Sequence, residues 1–362
     1  MTNKLKVTSA LVGSLLALSA TSAVAQTTVS GNLALSYIAA KSENRAQSFR
    51  GFGKESQINI SNKGKLSNGL DYLAGFSIEM DGADGGATSA TAPTSNTLQG
   101  QQSENVYIDL ISGNTTVSIG ADHFQNTDVH LTNIVGFGYL GASGIGGVES
   151  IYPANINAYQ SYGIGLAQNT SFGSFGIYYT PTNKNGQSAN DIFNGVTKAQ
   201  LETAANAESA YEVTFKGNLG ITGLTAIGSY TNSPNGTAGN VNDANTSRIG
   251  AQYNMGAFTV AYDRTRVENT FANVATATAS KIYADSFGVA YAVNKDVAVG
   301  LTYASATDKM TVGAKDEEII MAAVGYNLGA VAVQAQYKNV QNNGGLAAHD
   351  GQTVSVYLNT KF

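Results

Sequence analysis

Phe287 to Tyr303 reads FGVAYAVNKDVAVGLTY. Phe287, Val289, Tyr291 and Val293 fall on one parity, with Gly288, Ala290 and Ala292 between them. Asn294-Lys295-Asp296 interrupts the pattern, which resumes at Val297, Val299, Leu301 and Tyr303. A period of two is the signature of a strand with unlike faces. Asn and Asp between two such runs supply a tight turn, because they tolerate the backbone angles that a reversal needs. The stretch therefore predicts a β-hairpin with one greasy face.

Working outward, the same alternation recurs from Thr27 almost to the end. Before the hairpin it runs through Val29 to Tyr37, Lys54 to Ser61, Leu70 to Met80, Val106 to Leu110, and Val117 with Ile119. It continues in Ile164 with Leu166, Phe175 to Tyr179, Tyr211 to Phe215, Leu224 to Tyr230, Ile249 to Tyr253 and Phe258 to Tyr262. After the hairpin come Ile320 to Tyr326, Val331 to Tyr337 and Val354 to Phe362. About 16 strands are predicted from this periodicity.

The composition agrees. Only 12% of the 362 residues are charged, yet mean hydropathy is −0.09. A soluble enzyme of this length carries roughly twice that charge fraction. With 43% hydrophobic residues the chain has ample apolar content for order, which excludes a disordered chain. After the N-terminus no apolar run approaches the roughly 20 residues of a membrane helix. With 41 Gly, 19 Tyr and 4 Pro, the balance suits strands whose polar and apolar faces cancel in the average. The lack of Cys excludes a disulfide framework.

Met1 to Ala25 has the plan of a secretory signal peptide. Lys4 and Lys6 precede an apolar core from Leu11 to Ala20, and Ala23-Val24-Ala25 is a small-x-small cleavage site before Gln26. The expected organisation is residues 1–25 as signal peptide and 26–362 as barrel. Without Lys4 and Lys6 the mature chain holds 18 basic and 25 acidic residues, a net charge of −7. No basic stripe remains, so nucleic-acid binding is disfavoured.

Connections sort by parity. Short ones (Ser112 to Asn114, Asn169 to Ser174, Asn254 to Ala257, Asn294 to Asp296, Asn327 to Ala330) alternate with long ones (Asp81 to Ser103, Asp122 to Ala158, Pro181 to Ala207, Asn232 to Thr246, Asn339 to Gly351). An even-stranded barrel with short turns at one end and long loops at the other is the outer-membrane plan. A barrel of about 16 strands is too wide for side chains to fill, so its polar face meets water inside and its apolar face meets lipid. Tyr37, Tyr179, Tyr211, Tyr230, Tyr303 and Tyr337 are expected in the interfacial girdles.

With these features the mature chain resembles the Gram-negative general porins. The resemblance implies an all-β, 16-stranded antiparallel transmembrane β-barrel with an inward-folded loop between strands 5 and 6, and a homotrimer in the outer membrane after export to the periplasm. Lipid and lipopolysaccharide would surround it. It implies that Phe362, with Leu358, Val356, Val354 and Thr360 on one face of the last strand, is the signal read by the barrel-assembly machinery. Asp122 to Ala158, which follows the fifth strand, would narrow the lumen. Its acids are Asp122, Asp128 and Glu149.

The basic side departs from the family pattern. The enterobacterial members set several Arg on early strands, whereas this chain has five Arg in all and places Asp71, Glu79 and Asp109 on the expected lumen face. Arg45, Arg50 and Lys54, in or near the first long loop, are expected to reach the mouth. An acid-dominated lining predicts a cation-preferring channel for passive diffusion of small hydrophilic solutes and ions. The alternative is a substrate-selective channel for a sugar or a particular ion, with Phe137, Tyr139 and Tyr152 as stacking groups.

No enzyme and no cofactor are expected, because no nucleophile motif is present. Gly141 to Gly147 lacks the Lys and the following helix of a phosphate-binding loop. His123 and His130 show no helical spacing that would make them a metal pair. A calcium site drawn from Asp122, Asp128 and Glu149 is a weaker reading, since oxygen ligands on a loop suit that ion.

Overall fold

The structure, a computed structural model, describes residues 25–42, 48–80, 101–121, 124, 129, 131, 163–180, 209–233, 244–268, 281–310, 312–342, 345–346 and 350–362. Sixteen strands follow in order: β1 (Ala25–Ser42), β2 (Ser48–Lys65), β3 (Asp71–Met80), β4 (Gln101–Ser112), β5 (Thr115–Ala121), β6 (Gly163–Asn169), β7 (Gly173–Thr180) and β8 (Ala210–Gly217). The second half holds β9 (Leu224–Ser233), β10 (Ala244–Met255), β11 (Phe258–Glu268), β12 (Lys281–Ala292), β13 (Val297–Asp308), β14 (Glu317–Asn327), β15 (Val331–Gln341) and β16 (Gly351–Lys361). Each predicted strand is present, and each observed strand is antiparallel to the next.

β1 pairs with β16, so the sheet closes and no edge is left open. Closure is completed by the last residue. Phe362 donates its N–H to the Gly31 carbonyl at 3.0 Å and accepts from Gly31 N–H at 2.8 Å. A β-carbon on Gly31 would lie 2.7 Å from the Phe362 ring and 2.4 Å from the Gln57 carbonyl. The terminal ring occupies the space that the missing side chain leaves on β1.

The short turns use the chemistry read from the sequence. In the β12–β13 turn Asn294 Oδ1 accepts from the N–H of Asp296 and Val297, at 2.8 and 2.9 Å. In the β14–β15 turn Asn327 Oδ1 accepts from Gly329 N–H at 2.9 Å, and Gly329 has φ 89°. That left-handed angle is reached without strain only by Gly.

Burial resolves the two faces. Along β14 the pattern is strictly alternating: Glu317, Ile319, Met321 and Ala323 are buried, while Ile320 and Val324 are exposed. Exposed Ile164, Leu166, Phe175, Ile177, Val213, Ile249, Phe287 and Leu301 carry the same apolar series around the outside. A sheet that exposes this much Ile, Leu and Phe is stable only against lipid. Much of the inward series is polar or small: Ser77, Thr116, Ser118, Thr214, Thr265, Ser286, Ala304, Gln334 and Ser355 are all buried, alongside an apolar inward cluster of Val267, Ile282, Ile319 and Val340. The apolar-out, polar-in reading therefore holds.

The six expected girdle tyrosines all lie on outward-series strand positions, and Tyr179 pairs with Tyr211 at the long-loop rim. At the opposite rim the aromatic band is built from pairs: Phe175 with Phe215 (ring centroids 4.9 Å apart) and Phe258 with Tyr291 (4.8 Å).

Candidate functional site

The candidate site is the inner wall of the barrel, reached by strand parity. Its central element is the sequence after β5. Three residues of that stretch are described. Phe124 is buried with its ring centroid 4.0 Å from that of Tyr178, and the two cluster with Ala210. Gly165 makes room: a β-carbon there would lie 2.7 Å from the Phe124 ring. Val129 and Leu131 are buried together with Ile227 of β9 and Ala261 of β11. Tyr178, Ala210, Ile227 and Ala261 all belong to the inward series. The three described residues after β5 thus pack on the inner wall between β7 and β11. Asp122, Asp128 and Glu149, with the calcium reading that uses them, lie outside the described residues, as do Arg45, His123 and His130.

The early strands place the other expected residues. Asp71 belongs to the inward series at the short-turn rim, where Lys65 Nζ holds its carboxylate at 2.5 Å. Both groups are more than half exposed, so this pair contributes little to stability. Asp109 is also inward but fully buried, so its carboxylate is covered rather than open to the lumen. Glu79 stands opposite Gln57 in the inward register; its side chain lies outside what the structure describes.

Arg50 and Lys54 need correction. Both stand within β2, which begins at Ser48, six residues before Lys54, where the alternation in the sequence starts. Arg50 pairs with Ala39, Phe52 with Tyr37 and Lys54 with Leu35. Phe52 is 87% exposed and stacks on Tyr37 at 5.2 Å on the outside. The period of two carries Arg50 and Lys54 into the same outward register, so they are not lumen positions.

Arg248, Asp263, Glu212 and Glu317 are inner-wall charges that the strand pattern alone did not single out as lining residues. Arg248 on β10 lies with its Nε 3.5 Å from the Asp263 carboxylate and 3.0 Å from Thr265 Oγ1 on β11. Both members of the ion pair are largely buried. Glu212 and Glu317 are buried on the same face. The signal was available: if Ile249, Ala251 and Tyr253 face lipid, Arg248 and Gln252 face inward. The same rule sends Arg264 and Arg266 outward. There Arg264 approaches Asp285 at 3.6 Å, and Arg266 meets Glu268 at 2.5 Å beside the Tyr283 ring.

A closed barrel of 16 strands with a greasy exterior and a polar inner wall is an outer-membrane channel scaffold. A family model described as Gram-negative porin matches residues 9–356, and the chain belongs to that family. No curated protein sequence matches it. Among solved structures, an anion-selective porin from Comamonas acidovorans is 16% identical, covers 93% of this chain and 100% of its own, and has a TM-score of 0.68. OmpF of Salmonella typhi, solved with daunomycin, is 13% identical with coverages of 93% and 97% and a TM-score of 0.63. OmpT of Vibrio cholerae lacking loop L8 is 12% identical, with coverages of 94% and 100% and a TM-score of 0.62. At these identities the likeness is one of fold. The chain is an outer-membrane β-barrel porin.

Proposed function

We propose that this porin is a general diffusion channel with a preference for cations, narrowed by the stretch Asp122 to Ala158. The observation that carries the reading is the packing of Phe124, Val129 and Leu131 on the inner wall, since it draws the stretch into the lumen rather than over the rim. Small hydrophilic solutes and ions cross down their gradients, and no bond is made or broken. Asp71, Glu79 and Asp109 belong to the inward register of the early strands, and Asp122, Asp128 and Glu149 are the acids of the narrowing stretch.

Charge supports the direction of selectivity. The connections at residues 43–47, 81–100, 122–162, 181–208, 234–243 and 269–280 hold ten carboxylates and three bases. All six join strands at the long-loop rim. Fixed negative charge at a mouth raises the local cation concentration. The Comamonas acidovorans porin, of the same fold, is anion-selective, so the cation preference proposed here rests on charge and not on the barrel.

The test is the reversal potential of purified protein in a planar bilayer under a tenfold KCl gradient. Preference for K⁺ is expected. Asp122→Asn, Asp128→Asn and Glu149→Gln together are expected to cut the permeability ratio of K⁺ to Cl⁻ by about threefold, the scale of a kT-size change in potential. Preference for Cl⁻ in the parent protein sinks the cation assignment. A substrate-selective channel would instead show a solute that blocks the ion current at low concentration.

Four further parts of the reading are proposals. Residues 1–25 lie almost wholly outside the described residues and act as a signal peptide, so mass spectrometry of the outer-membrane form should find Gln26 at the N-terminus. An N-terminus at Met1 would overturn it. The assembly is a homotrimer, the form in which one Vibrio cholerae OmpT is solved. Phe362, Leu358 and Val356 are the outward residues presented to the assembly machinery, and lipopolysaccharide and lipid contact the exposed apolar belt.

A further inference from the structure

We propose that the outward face of β10–β12, at the long-loop rim, holds a site for the phosphate of an outer-leaflet lipid headgroup, with Arg264 and Arg266 as its forks and Lys281 as a third positive charge. This rests on the reading above in which lipid covers the exterior. The outward positions of β11 and β12 are apolar or aromatic at Val260, Tyr262, Phe287 and Val289, then turn charged at Arg264, Arg266, Glu268, Lys281 and Asp285. Arg264 stands opposite Asp285, Arg266 opposite Tyr283 and Glu268 opposite Lys281. All three bases converge on one ring: Arg264 Cζ, Arg266 Cζ and Lys281 Nζ lie 5.5, 5.9 and 5.9 Å from the centre of Tyr283.

The cluster is partly neutralised from within. Glu268 takes Arg266 at 2.5 Å and Lys281 at 2.9 Å. Asp285 accepts from the Tyr262 hydroxyl at 2.5 Å and stands 3.6 Å from Arg264 Nε, beyond hydrogen-bond reach. Three bases thus face two carboxylates. The connection at residues 269–280 adds no charge. That at 234–243 adds Asp243, which lies outside the described residues. The Arg264 guanidinium is about half exposed and makes no hydrogen bond among the described residues. Its neighbour across the ladder is Ile249, an exposed member of the apolar belt. A guanidinium has five N–H donors. Leaving them unbonded beside lipid is costly, and charge on a lipid-facing strand is tolerated only near the interface.

The interface itself supplies the missing acceptor. Phosphate oxygens take two parallel N–H bonds from an Arg fork, a geometry that Lys does not offer. Beside Arg266 opens a groove of about 250 Å³ that Tyr230, Asn245, Ser247 and Glu268 also line. Small-molecule sites start at about 300 Å³, so this groove suits part of a headgroup and not a whole lipid. Because the apolar belt continues directly beneath the cluster, the anion is one carried on acyl chains.

The test is lipid retention by the refolded mature protein in neutral detergent micelles, counted by native mass spectrometry. The probes are diphosphorylated lipid A, the same lipid stripped of its phosphates, and inorganic phosphate. Expected is a retained copy of diphosphorylated lipid A on each chain, no retention of the stripped lipid and no displacement by millimolar inorganic phosphate. Arg264→Gln with Arg266→Gln should weaken retention about tenfold, the scale of one charge-assisted hydrogen bond. Lys41→Gln with Arg50→Gln, at exposed outward bases of β1 and β2, should leave it unchanged. If the first pair does not close into a barrel on unheated gels, Arg264→Lys, which keeps the charge and loses the fork, should still lower retention severalfold. Equal retention with and without phosphates, displacement by inorganic phosphate, equal loss in both pairs, or no loss in any Arg264 variant overturns the inference. So does dissociation of the assembly by the first pair with retention unchanged, which would mark this face as a subunit contact. All of these outcomes leave a conducting channel in a planar bilayer, whereas a parent protein that passes no current overturns the channel reading instead.

Discussion

Gly31→Val is expected to destabilise the closed barrel and lower its refolding yield. The position lies where the first and last strands meet. A β-carbon would stand 2.4 Å from the Gln57 carbonyl oxygen and 2.7 Å from the Phe362 ring. The ring could swing into lipid, being 68% exposed. The carbonyl belongs to the β1–β2 ladder and cannot move without breaking it. Overpacking of this kind costs about 1–3 kcal/mol, or roughly 5- to 150-fold in the folded-to-unfolded ratio. The effect is compounded because Gly31 and Phe362 exchange the final pair of backbone hydrogen bonds. Heat-modifiable migration on a gel, which separates closed barrels from unfolded chain, measures the loss. Phe362→Ala should lower the yield in detergent refolding, where the ring's cover of Gly31 is lost; a larger loss in cells is the result expected if Phe362 is also presented to the assembly machinery, as proposed above. Full yield of Gly31→Val would mean that β1 and β16 do not meet in this register.

Val129→Asp combined with Leu131→Asp is expected to raise single-channel conductance in 1 M KCl by about one-half or more. Both side chains are almost wholly buried against Ile227 and Ala261. A carboxylate placed there without a partner costs several kcal/mol, more than the apolar contacts it replaces supply. The stretch after β5 should then leave the wall between β9 and β11, and the lumen should widen. High salt is chosen because charge is screened within about 3 Å, so the change reports dimension rather than selectivity. Val129→Ile with Leu131→Met, which keep the contact apolar, should leave conductance near that of the parent. Unchanged conductance in the double Asp variant would show that this stretch does not narrow the pore.

These two predictions use different levels of information. That Phe362 matters follows from a terminal strand of alternating apolar residues ending on an aromatic ring. That Gly31 is its counterpart does not, because nothing in the sequence aligns residue 31 with residue 362; the register of β1 against β16 does so. Leu131 likewise reads as one apolar residue in a mixed, Gly-rich stretch, and only its burial beside Ile227 and Ala261 gives it a function.

The lining residues show the same division. Alternation alone puts Asp71 and Asp109 on the inner face, and the strand register does the same. Asp109 is nonetheless covered, since exposure depends on what packs over a residue and not on its strand. Arg50 reads as a loop position because Ser48, Gly51 and Gly53 interrupt the alternation at the start of β2, which becomes legible only from Lys54. Without that boundary, a strand position looks like a loop position. Arg248, Glu212 and Glu317 lie in the wet series of recognisable strands, but a lone charge in such a series gains meaning only when the opposite wall is known.

The number of strands, the face that meets lipid, the end that carries the long connections and the class of protein are all legible in the amino-acid order. Each of these rests on local order: a period of two, turn residues at short intervals, and a composition too low in charge for a soluble core. The closure of β1 on β16, the register that puts Gly31 beneath Phe362 and the wall on which Leu131 rests belong to the tertiary structure alone. These depend on residues tens to hundreds of positions apart being brought to one height of the barrel. Pairing register and strand tilt set that height, and neither is written in any single segment.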